Sequence, residues 1–184
     1  MAKFYDELTE PLQRFVAKQQ IFFTGTAPHE GRVNVSPKGM DTFRCLSSKE
    51  VAYLDLTGSG NETSAHIEEN GRLTLMLCSF VGKPTILRMY GRGRVIRQGD
   101  ADWKTYAGHF ELLPGARQII KLDIDSVQTS CGFGVPMYEY AGDRSELVEW
   151  AEKKGDRGLH EYRHKKNRVS IDGLPTGLRS EIEA

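Results

Sequence analysis

A chain of 184 residues, 39% hydrophobic and 27% charged, is long enough for one domain with a sizeable core and too ordinary in composition for a disordered or fibrous protein. Its 25 Lys and Arg balance 25 Asp and Glu, which argues against a dedicated nucleic-acid binder, whose affinity rests on a cation excess. Asp6, Glu7 and Glu10 interrupt the N-terminus before any apolar run forms, and the longest apolar stretch, Leu73 to Val81, is far too short to span a bilayer. The expectation is a cytoplasmic protein with no membrane segment, in which Cys45, Cys78 and Cys131 are reduced thiols and the sequons at Asn34 and Asn61 carry no sugar.

Leu8, Leu12, Phe15 and Val16 recur at helical spacing and predict an opening helix over Asp6–Gln19, with Pro11 tolerated near its start. From Gln20 onward short β-rich runs are broken by Gly and Pro: Ile21–Gly25, Arg32–Ser36 ending at Pro37, Thr42–Leu46 and Val51–Leu56. A helix over Asn61–Asn70 follows, then Leu73–Phe80, whose few charges suit a strand buried on both faces. Thr85–Arg97 carries Gly91 and Gly93 around Arg92, a pattern that marks a bulge or a close backbone approach. A helix over Asp100–Leu112 precedes a strand over Arg117–Gln128. After Pro136 the texture becomes helical, with one helix over Arg144–Lys154 (Leu147, Val148 and Ala151 inward) stopped by Gly155 and a second over Gly158–Lys166. Many short strands with few helices predict a mainly β fold, a β-barrel with flanking helices. The expected organisation is a single domain over 1-184, its barrel core over 20-135 and a helical appendage and tail over 136-184.

Three loops carry more polar and small residues than a turn requires. In Val35-Ser36-Pro37-Lys38-Gly39, a lysine between a rigid Pro and a permissive Gly can be presented to an anion or a ring carbonyl; the plainer reading is a solvated hairpin lysine. Asp55 to His66 runs from a strand through Thr57-Gly58-Ser59-Gly60 into Asn61-Glu62-Thr63 at a helix start, where free N–H groups, hydroxyls and the helix dipole suit a phosphate. Simple N-capping is the alternative there, and Glu62 opposes an anion unless it points away. In the third loop Cys131 lies between Ser130 and Gly132, but no histidine is near in sequence to activate it, so packing outweighs nucleophilic catalysis.

His160-Glu161-Tyr162-Arg163-His164 spells a zinc-protease motif, yet Arg157, Lys165, Lys166 and Arg168 surround it and oppose a dication, and the further carboxylates Glu181 and Glu183 fall at the chain end. Gly82-Lys83-Pro84-Thr85 lacks the upstream glycine and strand-to-helix setting of a P-loop. No metal site and no catalytic residue is assigned; His66 is read as structural.

Taken together and in order, the segments Val33–Gly39, Leu54–Thr63, Ser130-Cys131-Gly132 with Val135-Pro136, and Asn167–Pro175 resemble a branch of the pyridoxamine 5′-phosphate oxidase-like flavoproteins over nearly the whole chain. The resemblance implies an FMN-binding split barrel of six strands, a homodimer with FMN in grooves at the subunit interface, and an oxidoreductase acting on a small substrate. It implies cofactor contacts from Val35, Ser36, Lys38, Gly39, Asp55, Thr57, Gly58, Ser59, Asn61, Glu62, Thr63, Ser130 and Cys131, with Ser36 and Lys38 flanking the isoalloxazine ring and the loop residues approaching the phosphate. A non-catalytic flavin- or haem-binding module and a deazaflavin-dependent relative are the alternatives. Where the oxidases of that group supply adjacent arginine and lysine to the phosphate, this chain has Asn61-Glu62-Thr63, so the cation is expected from Lys38, Arg88, Arg92 or Arg94.

Overall fold

The computed structural model describes residues 2–178. In chain order the elements are β1 (Lys3–Tyr5), α1 (Glu10–Val16), β2 (Phe22–Thr26), β3 (Asn34–Lys38), β4 (Phe43–Cys45), β5 (Glu50–Leu56), α2 (Glu62–Asn70), β6 (Arg72–Cys78), β7 (Thr85–Ile96), α3 (Trp103–Ala107), β8 (Ala116–Cys131) and α4 (Glu146–Lys166). The strands form one antiparallel sheet in the order β3-β2-β6-β7-β8-β5-β4. β8 is long enough to pair with β5 along one stretch and with β1 at Val127 to Thr129. β3 and β4 are the two ends of this path and do not pair with each other, which leaves one side of the sheet open.

Alternation sorts the apolar side chains of the central strands to two faces. Val51 and Tyr53 of β5 join Leu75, Leu87, Met89, Ile120 and Leu122 in the larger core, which α1 closes with Val16. Ala52, Leu54 and Leu56 point the other way, with Ile96 and Ile119, and are covered by Trp103, Tyr106, Phe110, Leu113 and Leu147. β5 is therefore buried on both faces, as its near-continuous apolar sequence requires. α2 ends at Gly71, whose φ of 72° gives the left-handed cap that stops a helix.

Gly91 and Gly93 do what their spacing suggested. The register of β7 against β8 shifts between Tyr90 and Gly91, and a Cβ at Gly91 would lie 1.9 Å from the Asp123 carbonyl oxygen. A Cβ at Gly93 would lie 2.8 Å from Ile67 Cδ1, so this glycine lets α2 seat against the sheet.

Several elements differ from the sequence reading. β1 is an added strand, and the opening helix is shorter because Asp6 to Thr9 carry Leu8 into the core before the helix begins at Glu10. β3 runs on through Pro37, which is permitted because β3 is an edge strand with β2 as its partner. α3 is only five residues long, ending at Gly108. The two predicted C-terminal helices are joined end to end across Gly155, whose φ of 61° and ψ of 173° break the helical path. Glu181 and Glu183 lie outside the described residues, among which no helix is long and apolar enough to cross a membrane.

Gly91→Ala is expected to destabilise the fold by roughly 3 kcal/mol, because the clash is with backbone that must stay paired. Urea unfolding measures it; Gly134→Ala, where a Cβ meets nothing within 4 Å, serves as the control and should change stability by no more than about 0.5 kcal/mol.

Candidate functional site

The register of β2 against β3 puts Phe22 opposite Lys38, Thr24 opposite Ser36 and Thr26 opposite Asn34. Asn34, Ser36 and Lys38 thus share the core-facing side of β3 and look across the open side of the sheet toward β5. There Asp55 follows Tyr53 on the same face, 3% exposed. A bulge in β8 does the rest: Asp55 pairs with Gln118 and Leu56 with Ala116, leaving Arg117 as the extra residue. Strict alternation would have set Arg117 on the face of Ile119; the bulge turns its guanidinium onto Asp55.

The result is a buried charge cluster. Lys38 Nζ donates to Asp55 Oδ1 at 2.8 Å, while Arg117 Nη2 and Nε donate to Oδ2 at 2.7 and 3.2 Å and Gln118 Nε2 adds a bond to Oδ2 at 2.9 Å. Burial alone would raise the Asp55 pKa, but the charges of Arg117 and Lys38 and their hydrogen bonds outweigh it and hold the carboxyl well below its ordinary range. Arg117 Nη1 also donates to the carbonyl of Gly60 at 3.0 Å and to Asn167 Oδ1 at 2.8 Å. Four of the five guanidinium N–H groups are thereby held by protein, and two of the three on Lys38 remain for a ligand.

Lys38, Asp55 and Arg117 line a cleft of about 280 Å³ together with Asn34, Ser36, Leu56, Gly58, Ser59, Gly60, Asn61, Glu62 and Thr63. Lys38 also lines a larger groove of about 1020 Å³, walled by Phe23, Pro37, Met40, Phe80, Tyr138 and Tyr140 among others. Lys38 is the residue that the polar cleft and the apolar groove have in common.

Of the residues implied by resemblance, Ser36, Lys38, Asp55, Gly58, Ser59, Asn61, Glu62 and Thr63 come together in the cleft. Not all are free to bind. Asn61 accepts from Gln118 at 2.8 Å, and the Thr63 hydroxyl accepts from Asn34 at 3.1 Å. Thr57 is buried outside the cleft, donating to the Gly115 carbonyl at 2.8 Å and accepting from Arg163 Nε at 2.8 Å. Glu62 lines the cleft with its carboxylate tethered, accepting the Ile171 N–H at 3.1 Å. Val35 stands on the outer face of β3 and Gly39 on the groove. Ser130 and Cys131 sit near the far end of β8, opposite Ile86 and Thr85, and do not reach the cleft of the same chain. The three arginines considered for the phosphate are also elsewhere: Arg88 bonds Ser130, Arg92 the Asn70 carbonyl, and Arg94 pairs with Asp102.

His66 is structural in placement, 1% exposed, with Nδ1 2.9 Å from the Thr26 hydroxyl. Burial drives its pKa down against the pull of Glu62, Glu69 and Asp172. Thr26 accepts from Asn34, and Ser36 donates to Asn34 at 3.0 Å, so the helix is tied through β2 to β3 by a chain of side-chain bonds. The sequence reading missed Arg117 and Gln118, and had Asn167 only as the start of a motif and not as a residue of the cleft's charge cluster. An Arg-Gln pair opening a strand otherwise buried on both faces was the available signal for the first two.

Because the folded-state pKa of Asp55 lies below its ordinary 3.8, the stability it contributes is complete above about pH 4 and is lost as pH falls through the folded value. Asp55→Asn leaves Lys38 and Arg117 without their counter-charge and should cost about 3–5 kcal/mol at pH 7. Denaturation across pH 2–7 should also show a flatter acid limb in the variant than in the wild type.

A family profile described as pyridoxamine 5′-phosphate oxidase matches residues 8–131. The pyridoxamine 5′-phosphate oxidase family protein ustO of Aspergillus flavus is 43% identical over 200 residues, covering 99% of this chain and 80% of that protein. Among solved structures, HupZ of Group A Streptococcus superposes with a TM-score of 0.53 at 17% identity, over 67% of this chain and 99% of that one. A Lactobacillus delbrueckii protein named for pyridoxamine 5′-phosphate oxidase gives a TM-score of 0.52 at 18% identity, over 67% and 94%. At such identities the structures speak to the fold alone, a split barrel. With the family profile covering most of the barrel and a relative of this identity covering nearly the whole chain, the protein belongs to the pyridoxamine 5′-phosphate oxidase family.

Proposed function

We propose that the cleft binds the phosphate of FMN and that the protein is a cytoplasmic, FMN-dependent oxidoreductase acting on a small substrate. The observation that carries this reading is the cluster at Lys38, where two cations share one carboxylate in a hydroxyl- and glycine-lined cleft and the same lysine also borders an apolar groove. The donors suit the group. Lys38 keeps N–H groups for an anion, and Ser59 brings a hydroxyl. A Cβ at Gly58 would project into open space, so internal packing does not demand glycine there; close approach by a ligand would. Arg117 would act chiefly by pairing with Asp55, so that this carboxylate is not neutralised by Lys38 alone.

A bound flavin supplies the centre that takes up and returns electrons or hydride. The chain's part is to hold the phosphate at Lys38, to seat the ring along β3 beside the groove, and to exclude water with aromatic walls. A second copy of the chain fits this reading. Val33 and Val35, on and just before edge strand β3, are 73% and 65% exposed, and a homodimer would cover them and complete the groove.

Flavin fluorescence titration tests the proposal, with the visible spectrum of the purified protein as a first look. FMN should bind more tightly than riboflavin, which lacks the phosphate, and the Lys38→Ala/Ser59→Ala protein should lose roughly tenfold or more in FMN affinity while changing riboflavin affinity far less. Equal affinity of the wild type for FMN and riboflavin would overturn the assignment of the cleft.

A further inference from the structure

Asn167 terminates α4 and has no exposed surface, although the residues around it lie outside the barrel. Both ends of its side-chain amide are committed to the cleft. Oδ1 accepts from Arg117 Nη1 at 2.8 Å, and Nδ2 donates to the Gly58 carbonyl at 3.1 Å. Its backbone carbonyl accepts from the Thr176 hydroxyl at 2.6 Å and from Asn61 Nδ2 at 3.4 Å.

From Asn167 the chain folds back on itself as a short strap. Val169 pairs with Pro175, Thr176 N–H donates to the Arg168 carbonyl at 3.0 Å, and Ser170 N–H to the Leu174 carbonyl at 2.8 Å. The strap is fastened at three places on the barrel. Ile171 N–H holds the Glu62 carboxylate, Asp172 pairs with Arg32 ahead of β3, and the Thr176 carbonyl accepts from Ser64 and Arg97 at 2.7 and 2.8 Å. Two of its contacts bear on an anion in the cleft: one fixes the cation Arg117, and the other restrains Glu62, the carboxylate that lines the cleft and would repel such a ligand.

Resting on the reading of the cleft as the flavin phosphate site, we propose that Asn167 is the positioning residue of that site. It sets Arg117 and the Gly58 turn for an anion, and the docked strap is required for phosphate affinity. Linkage then demands the reciprocal effect: phosphate in the cleft holds the strap down.

Asn167→Asp tests this directly. Asp keeps an acceptor for Arg117, but it loses the donor to Gly58 and brings a second carboxylate against a cluster of two cations and one anion, cancelling its net charge. FMN affinity should fall about tenfold or more while riboflavin affinity stays within about threefold, and titration with inorganic phosphate should show the same loss. Amide hydrogen exchange on the wild type needs no variant. FMN or phosphate should slow exchange at Ile171, Gly173 and Thr176 more than riboflavin does.

If the wild type binds FMN no better than riboflavin, the phosphate-site reading fails and takes this proposal with it. If FMN is preferred but Asn167→Asp keeps the full preference, or strap exchange is indifferent to FMN, the positioning role alone is overturned.

Discussion

An ionised carboxylate inside a protein is tolerable only when opposite charge and hydrogen bonds replace the water it has lost. Asp55 imposes that condition here. It needs Lys38 from one edge of the sheet and Arg117 from the long central strand, and meeting the need fixes three strands relative to one another. The backbone does not close the gap between β3 and the β5 side; the Lys38–Asp55 pair reaches across it instead. The bulge in β8 follows from the same constraint, since without the extra residue Arg117 would be directed away from the carboxylate.

The polar layer built around Asp55 is wider than a single ion pair. α2 buries Thr63, Ser64 and His66 in its first turns, and Asn34 joins Thr26, Thr63 and Ser36. A barrel needing only stability would be served better by apolar side chains at these positions, because each buried polar group must find a partner to avoid a desolvation cost of about 1–3 kcal/mol. The two apolar clusters on the faces of β5, β7 and β8 supply the stability that lets this end of the barrel remain polar. Such a division is expected of a scaffold carrying a preorganised binding site.

What could be read from the sequence follows from the range of the interactions involved. Period-two alternation located the strands, because burial on one face or both is decided within a few residues. The meaning of Gly91 and Gly93 was equally local. The Thr57 to Thr63 loop stood out by composition, and six of its residues line the cleft along with Asp55 and Leu56 before it. Of the cations considered, Lys38 does line the cleft, whereas Arg92 and Arg94 face other partners; Arg117 was not legible because a bulge breaks alternation and has no composition of its own. Asn167 was legible as part of a motif but not as a partner of Arg117, since the bond spans 50 residues and depends on how α4 returns to the barrel. Ser130 and Cys131 belonged to the motif set too, yet the length of β8 carries them away from the cleft of their own chain.

The position of the cations bears on the proposed binding of a phosphate. A loop carrying adjacent arginine and lysine offers two charges with nothing between them. In this chain the charges come from separate strands and share a carboxylate, so the sum over Lys38, Arg117 and Asp55 is a single positive charge. If the cleft holds a phosphate as proposed, Coulomb attraction for it would be correspondingly weaker, and more of the selectivity would fall to hydrogen-bond geometry: the spare Lys38 donors, the Ser59 hydroxyl, and the backbone of the Gly58 turn. Geometry of that kind is only as good as the rigidity behind it. Asp55 supplies rigidity from within the barrel, and Asn167 supplies it from outside by holding Arg117 and Gly58 at once. A site with little excess charge thus has reason to draw on residues distant in the chain, because orientation must do what net charge does not.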